Sequence, residues 1–298
     1  KRCPHSEVSM ELIQLHQDFA AEIRGISLID VVTDESAYEV VRAAFESHSV
    51  LVFRSQLISD EVQALFSRAF GPLEITKPGA VGTGTVYAHI TNIGPDGNTV
   101  EPDAQLAKVV AANQLWHTDS SFKQRPALAS MLGARIVPRS DSETQFVSTR
   151  AAWARLCESD QEKLANVIVE HNYLYSRDKI DKNMVSDEER ALLPSVHRRL
   201  TWLNPANGQR SLYLASHAGR IEGMDEDRAK SMLKDLMAHC TDMPQVYRHF
   251  WRAGDAVLWD NRATMHRGIP WPSHEPRLSI RTTISACERD GLSSVLVN

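Results

Sequence analysis

From residue 115 onward the chain is a succession of short apolar or alternating segments, many of them close to Gly, Pro, Asn, Asp or Ser turn signals, and this pattern constrains the fold more than any other feature. Segments 115–122, 128–136, 144–148, 200–203, 211–214, 246–251, 256–259, 264–267 and 277–286 read as strands, because they are short and either continuously apolar or alternating, with turn signals among them. Helical periodicity interrupts them at 150–157, 161–169 and 225–240. The last of these carries an apolar stripe through Ala229, Met232, Leu233, Leu236 and Met237. Strands following strands exclude the one-for-one βα alternation of a doubly wound sheet. They predict a mainly β chain, a sandwich or barrel, with flanking helices.

The first third adds the helices. Residues 35–47 and 60–70 have helical apolar faces, the second opened by Ser59 as N-cap and closed before Gly71. Segments 50–53 and 87–93 read as strands, and Gly94-Pro95-Asp96-Gly97-Asn98 is a turn signal. With no internal repeat or Gly/Ser linker, residues 1–298 are expected to form one domain with a helical insertion at roughly 150–240. No GxGxxG or GxxxxGK[ST] loop is present, which argues against a nucleotide-dependent enzyme.

Charge and cysteine usage narrow the function. A net charge of -5 with no basic run gives no footprint for nucleic acid. Cys3, Cys157, Cys240 and Cys287 are widely separated, with no CxxC pair, so neither a thiolate zinc site nor a disulfide framework is expected. Residues 1–19 mix Glu11, Gln14, His16 and Asp18 among apolar residues and lack a signal-peptide core, and no run approaches the ~20 apolar residues of a membrane span. The expectation is a cytoplasmic enzyme with a small anionic substrate, no membrane or nucleic-acid partner, and homo-oligomerisation left open.

The chemistry concentrates at Trp116-His117-Thr118-Asp119. In a strand, His117 and Asp119 would project from one face, an imidazole and a carboxylate able to bind one metal. The third ligand would come from His266. Two His and one carboxylate form the facial triad of non-haem Fe(II) oxygenases, leaving open positions for a 2-oxo acid and O2. An HxD pair alone is weak among 12 His and 38 acidic residues. Arg277 and Arg281 add to it. At a spacing of four on a regular strand they share a face, where one guanidinium could grip the distal carboxylate of 2-oxoglutarate and the other an anionic substrate. Thr144 offers a hydroxyl to the same cosubstrate.

At these residues the chain resembles the taurine dioxygenase / 2,4-dichlorophenoxyacetate dioxygenase family of Fe(II)/2-oxoglutarate enzymes. The resemblance runs from Gly25-Ile26-Ser27-Leu28 through Leu51-Val52-Phe53-Arg54 and Phe70-Gly71-Pro72-Leu73-Glu74 to Arg281. It leans to the phenoxyacetate branch in Ala112-Asn113-Gln114-Leu115-Trp116-His117-Thr118-Asp119-Ser120-Ser121-Phe122 and in Trp259-Asp260-Asn261-Arg262. It implies a double-stranded β-helix (jelly roll) core, with His117, Asp119 and His266 as iron ligands and Thr144 and Arg277 on the cosubstrate. Arg281 and Asn113 would then approach the substrate, and the cosubstrates are 2-oxoglutarate and O2. The reaction implied is hydroxylation of a small carboxylate. For an aryloxyacetate, a hydroxyl on the ether-adjacent carbon gives a hemiacetal that collapses to a phenol and glyoxylate. Taurine or another alkylsulfonate, an alkyl sulfate or an amino acid is the alternative substrate. A non-catalytic anion-binding β-sandwich is the alternative from a different class.

The chain departs from the family pattern in two places. Ser140-Asp141-Ser142 stands where the family often has Gly-Gly before the acid-Thr pair. Residues 75–86 match poorly and are expected to form the substrate lid, with Lys77 and the nearby His89 as anion contacts. His217 would border the pocket. Trp153, Trp202, Trp251 and Trp271 are expected to be packing residues, and His171, His197 and His239 surface or helix-end residues.

Overall fold

A computed structural model of the protein describes residues 10–76, 83–100, 104–140, 142–192 and 194–297. Strands β1 (Glu11–Gln14) and β2 (Ala21–Arg24) lead into helices α1 (Leu28–Thr33) and α2 (Glu35–His48). Ser27 and Asp30 close a reciprocal capping box on α1, and Asp34 caps α2. Then come β3 (Val50–Phe53), α3 (Asp60–Phe70), whose N-cap Ser59 accepts from the Val62 amide, β4 (Ala88–Thr91) and α4 (Ala104–Asn113). Strands β5 (Ala127–Ile136) and β6 (Glu143–Ser148) precede α5 (Thr149–Ala154), α6 (Glu158–Leu164), β7 (Ile168–His171), α7 (Tyr173–Asp178) and α8 (Asp187–Leu192). After them run β8 (Val196–Arg199), β9 (Thr201–Leu203), β10 (Arg210–Leu212), β11 (Ala218–Ile221) and α9 (Glu226–Thr241). Strands β12 (Val246–Phe250), β13 (Ala256–Asp260), β14 (Thr264–Gly268) and β15 (Leu278–Ser285) finish the chain.

Two sheets build the core. One has seven strands in the order β1-β2-β3-β13-β5-β15-β4, and the other has three in the order β12-β6-β14. The pleat, which sends successive side chains to opposite faces, decides what each residue meets. On β3, Val50 and Val52 join the cluster between the sheets, whereas Leu51 and Phe53 face the other way. On β13 the same split sends Val257 and Trp259 inward and Ala256 and Leu258 outward. Phe146 of β6 and Tyr247 of β12 meet them from the small sheet. The outer face of the large sheet is covered by Val41, Phe45, Phe66 and Phe70 of α2 and α3. Beyond the small sheet, Val147 and Met265 pack on α5, α6 and α9. Each fully buried side chain of this size contributes about 1.5–3 kcal/mol of transfer free energy, so these layers hold the two sheets in fixed registration.

Several expectations need correction. Residues 115–122 are not a strand: only His117 makes a bridge, to His266, and the segment is otherwise turns and bends. Residues 104–113, where no element is expected, form α4. Residues 161–169 divide into the end of α6 and the start of β7. The helical insertion expected at 150–240 carries, besides the strands expected at 200–203 and 211–214, β7, β8 and β11. His171 is fully buried rather than a surface residue, because β7 lies between β8 and β11. Cys157, Cys240 and Cys287 are free thiols, and Cys3 lies outside the described residues. Among the described residues no helix is long and apolar enough to cross a membrane.

Candidate active site

His266 is set by the register of β14, where it opposes Phe146 of β6 and points between the sheets. His117 exchanges both backbone hydrogen bonds with it, His117 N to His266 O at 3.0 Å and His266 N to His117 O at 2.8 Å. This pairing brings the two imidazoles to 4.2 Å between ring centres. Asp119 follows in a turn that runs through Phe122 and includes Ser120, whose φ of 56° takes the chain into the left-handed region. One donor atom from each of His117, Asp119 and His266 lies within 4.8 Å of the others. The convergence predicted for these three is present, although the strand alternation expected to cause it is not.

The donor chemistry fits a divalent ion. His117 Nδ1 is 2.7 Å from the Leu115 carbonyl. A carbonyl can only accept, so Nδ1 carries the proton and Nε2 keeps its lone pair for a metal. Burial holds both imidazoles below their ordinary range and therefore neutral, for His266 well below. Burial would raise the Asp119 carboxyl, but the Arg281 guanidinium beside it, helped by the hydrogen bond from Ser130, outweighs burial and holds the group as a carboxylate. Two neutral imidazoles and a carboxylate are the ligand set of a non-haem iron site.

The triad opens on a cleft of about 820 Å³, part of it open to solvent. Thr144, Arg277, Arg281 and Asn113 all line it with His117 and His266, so the sequence-predicted cosubstrate and substrate residues are brought together. Arg277 is only 4% exposed, and its guanidinium stands 4.4 Å from the centre of the Trp271 ring. Among the described residues no carboxylate pairs with it, and burial alone pushes its pKa down to about 10. Taking a cation out of water without a counter-charge is costly, and that cost is what lowers the pKa here. Thr144 Oγ1 accepts from Trp251 Nε1 at 2.9 Å, which leaves the hydroxyl proton free to donate into the cleft. Arg281 Nη1 donates to Asp119 Oδ1 at 2.9 Å. Ile90, Val109, Val110, Ile269 and Trp271 supply an apolar wall.

Other residues fall elsewhere. His89 sits half-buried on β4 and is not among the residues lining the cleft, where that strand contributes Ile90 and Thr91. Lys77 lies outside the described residues, as do the rest of 77–82 in the expected lid. His217 is buried, 6.4 Å from the His117 ring and 4.7 Å from Phe122, beside the cleft rather than lining it. Trp271 and Trp251, expected only to pack, touch the site through Arg277 and Thr144. The α4 wall was missed with its helix, and Asn261 carried no signal beyond its place in Trp259-Asp260-Asn261-Arg262.

The model of the family described as "Taurine catabolism dioxygenase TauD, TfdA family" matches residues 11–283. The chain belongs to this family. It is 38% identical to the alpha-ketoglutarate-dependent 2,4-dichlorophenoxyacetate dioxygenase of Cupriavidus pinatubonensis, over 85% of this chain and 90% of that protein. It is 29% identical to the (S)-phenoxypropionate/alpha-ketoglutarate-dioxygenase of Sphingobium herbicidovorans, over 93% and 95% of the two chains. Among solved structures, that of AAD-2 in complex with Mn(II) and N-oxalylglycine superposes with a TM-score of 0.85 at 34% identity, covering 95% of this chain and 98% of that one. As a TauD/TfdA member the protein is an oxidoreductase, a dioxygenase dependent on Fe(II) and 2-oxoglutarate and using O2.

Proposed function

We propose that this dioxygenase hydroxylates a small carboxylate, an aryloxyacetate, at the carbon beside the ether oxygen. In this reading the two facing sheets form a double-stranded β-helix. His117, Asp119 and His266 hold Fe(II), Thr144 and Arg277 hold the distal carboxylate of 2-oxoglutarate, and Arg281 and Asn113 face the substrate. The observation that carries it is the conjunction, in one cleft, of the three-donor cluster with the buried Arg277 guanidinium that no carboxylate among the described residues satisfies.

Bound Fe(II) supplies the redox chemistry, in which 2-oxoglutarate and O2 become succinate and CO2 while one oxygen atom goes to the substrate. The chain supplies position and environment. Arg277 presents its intrinsically planar fork of donors to a carboxylate, and the Trp271 ring, 4.4 Å from it, packs against the guanidinium. Thr144 donates its hydroxyl proton to the same group. Arg281 has further N–H groups beyond the one given to Asp119, and these can take an anionic substrate. The apolar wall of Ile90, Val109, Val110 and Trp271 suits an aromatic ring and excludes water from the reacting carbon. Hydroxylation there gives a hemiacetal, which breaks into a phenol and glyoxylate. The relatives that act on 2,4-dichlorophenoxyacetate and (S)-phenoxypropionate support this substrate class.

The test is a product screen with aryloxyacetates, taurine, alkyl sulfates and amino acids. Phenol release stoichiometric with succinate is the expected result. If only a sulfonate, a sulfate ester or an amino acid couples turnover to succinate, the aryloxyacetate reading falls while the enzyme class stands.

A further inference from the structure

Asn261 lies in the turn between β13 and β14, is 1% exposed, and is hydrogen-bonded on every polar atom of its side chain. Its Oδ1 accepts from the Asp119 amide at 3.1 Å and from Trp259 Nε1 at 3.2 Å. Thr118 Oγ1 is also 3.2 Å from Oδ1, but its one proton goes to the Asn261 carbonyl at 2.7 Å, so the two lone pairs of Oδ1 are matched by two N–H donors. On the other side, Asn261 Nδ2 donates to Ser130 Oγ at 3.0 Å, and Ser130 Oγ donates to Asp119 Oδ2 at 2.7 Å. Asn261 therefore grips Asp119 twice, through its backbone amide and, by way of Ser130, through its carboxylate.

The turn that presents Asn261 is itself immobilised. The Arg262 amide donates to Asp260 Oδ1 at 2.8 Å, and Arg262 Nη2 donates to Glu46 Oε2 at 2.7 Å, all three residues being buried. Ser130 lies on β5 in the middle of the seven-stranded sheet. The carboxylate of an irregular turn is thus referenced to two elements of the rigid core. A ligating carboxylate left free to rotate would have to be ordered at the moment of metal binding.

We infer that Asn261, relaying through Ser130, is a positioning residue for the metal ion: it fixes the Asp119 backbone and the Oδ2 side of its carboxylate, while Arg281 holds Oδ1. This rests on the ligand assignment proposed above. The test uses the metal-free enzyme titrated with Mn(II), with free and bound ion followed by electron paramagnetic resonance. Asn261→Ala and Ser130→Ala, both checked for folding by circular dichroism, should weaken Mn(II) binding by about 10- to 100-fold and alter the line shape of the bound ion. Ser130→Ala removes one hydroxyl and keeps the backbone grip, so it carries the test if Asn261→Ala does not fold. Unchanged Mn(II) affinity and line shape in the folded variants, with binding lost in His117→Ala, would overturn the positioning role and leave the ligand assignment intact. Binding retained in His117→Ala as well would overturn the ligand assignment and this inference with it.

Discussion

Arg281 Nη1 lies 2.9 Å from Asp119 Oδ1, so a cation lining the cleft is also the counter-ion of a carboxylate in the triad. Arg281 Nε is buried and has no hydrogen-bond partner. The guanidinium therefore has donor capacity left over, directed from the same fork that holds Asp119.

Arg281→Gln removes the charge and leaves a shorter, neutral amide in the cleft. A hydrogen bond to a charged group contributes about 1.5–3 kcal/mol, so the apparent affinity for an anionic substrate should fall roughly 10- to 100-fold. The KM for 2-oxoglutarate should change far less. Steady-state kinetics with each ligand varied in turn would check this. An equal loss for both would place Arg281 on the cosubstrate instead.

Arg277 predicts opposite effects on stability and on binding. Its buried charge lacks a carboxylate partner among the described residues, so Arg277→Met should raise the melting temperature of the ligand-free protein. The same variant should lose cosubstrate affinity by two orders of magnitude or more, since removing one partner of a buried ion pair costs roughly 3–5 kcal/mol. Thermal unfolding with and without 2-oxoglutarate would show both, because a ligand that binds only the folded state raises its melting temperature.

His117→Ala should abolish metal binding and succinate formation together. Asp119 and His266 alone leave two donors, too few for the triad. Succinate formation retained under saturating iron would remove His117 from the ligand set.

His171 predicts a pH dependence. It is fully buried, and desolvation lowers its pKa from 6.5 to about 3. Below about pH 6.5 the unfolded chain binds a proton that the folded chain does not take up until about pH 3, so this residue makes stability fall as pH drops through that window. The slope approaches about 1.4 kcal/mol per pH unit for one group. His171→Phe should be measurably less acid-sensitive than the parent in urea unfolding of the metal-free protein at pH 7, 6 and 5. Parallel curves would mean that the imidazole is already protonated in the fold.

Much of this protein follows from its sequence. Short, wholly apolar runs such as Val50-Leu51-Val52-Phe53 and Ala256-Val257-Leu258-Trp259 are themselves the instruction for strands buried on both faces, and the Ser59 cap marks where α3 begins. The ligand residue types, and the two arginines that follow the late histidine, were equally legible. Tertiary structure decided how they meet. His117 and Asp119 do not share a face of a strand. They converge because His117 bridges to His266, and because Asn261 and Ser130, 142 and 11 residues from Asp119, hold the turn that carries it. The burial of His171 and the Arg281–Asp119 pair have the same origin. Local periodicity reports which face of an element is apolar, but a hydrogen bond between distant residues depends on chain paths that no short window of sequence contains.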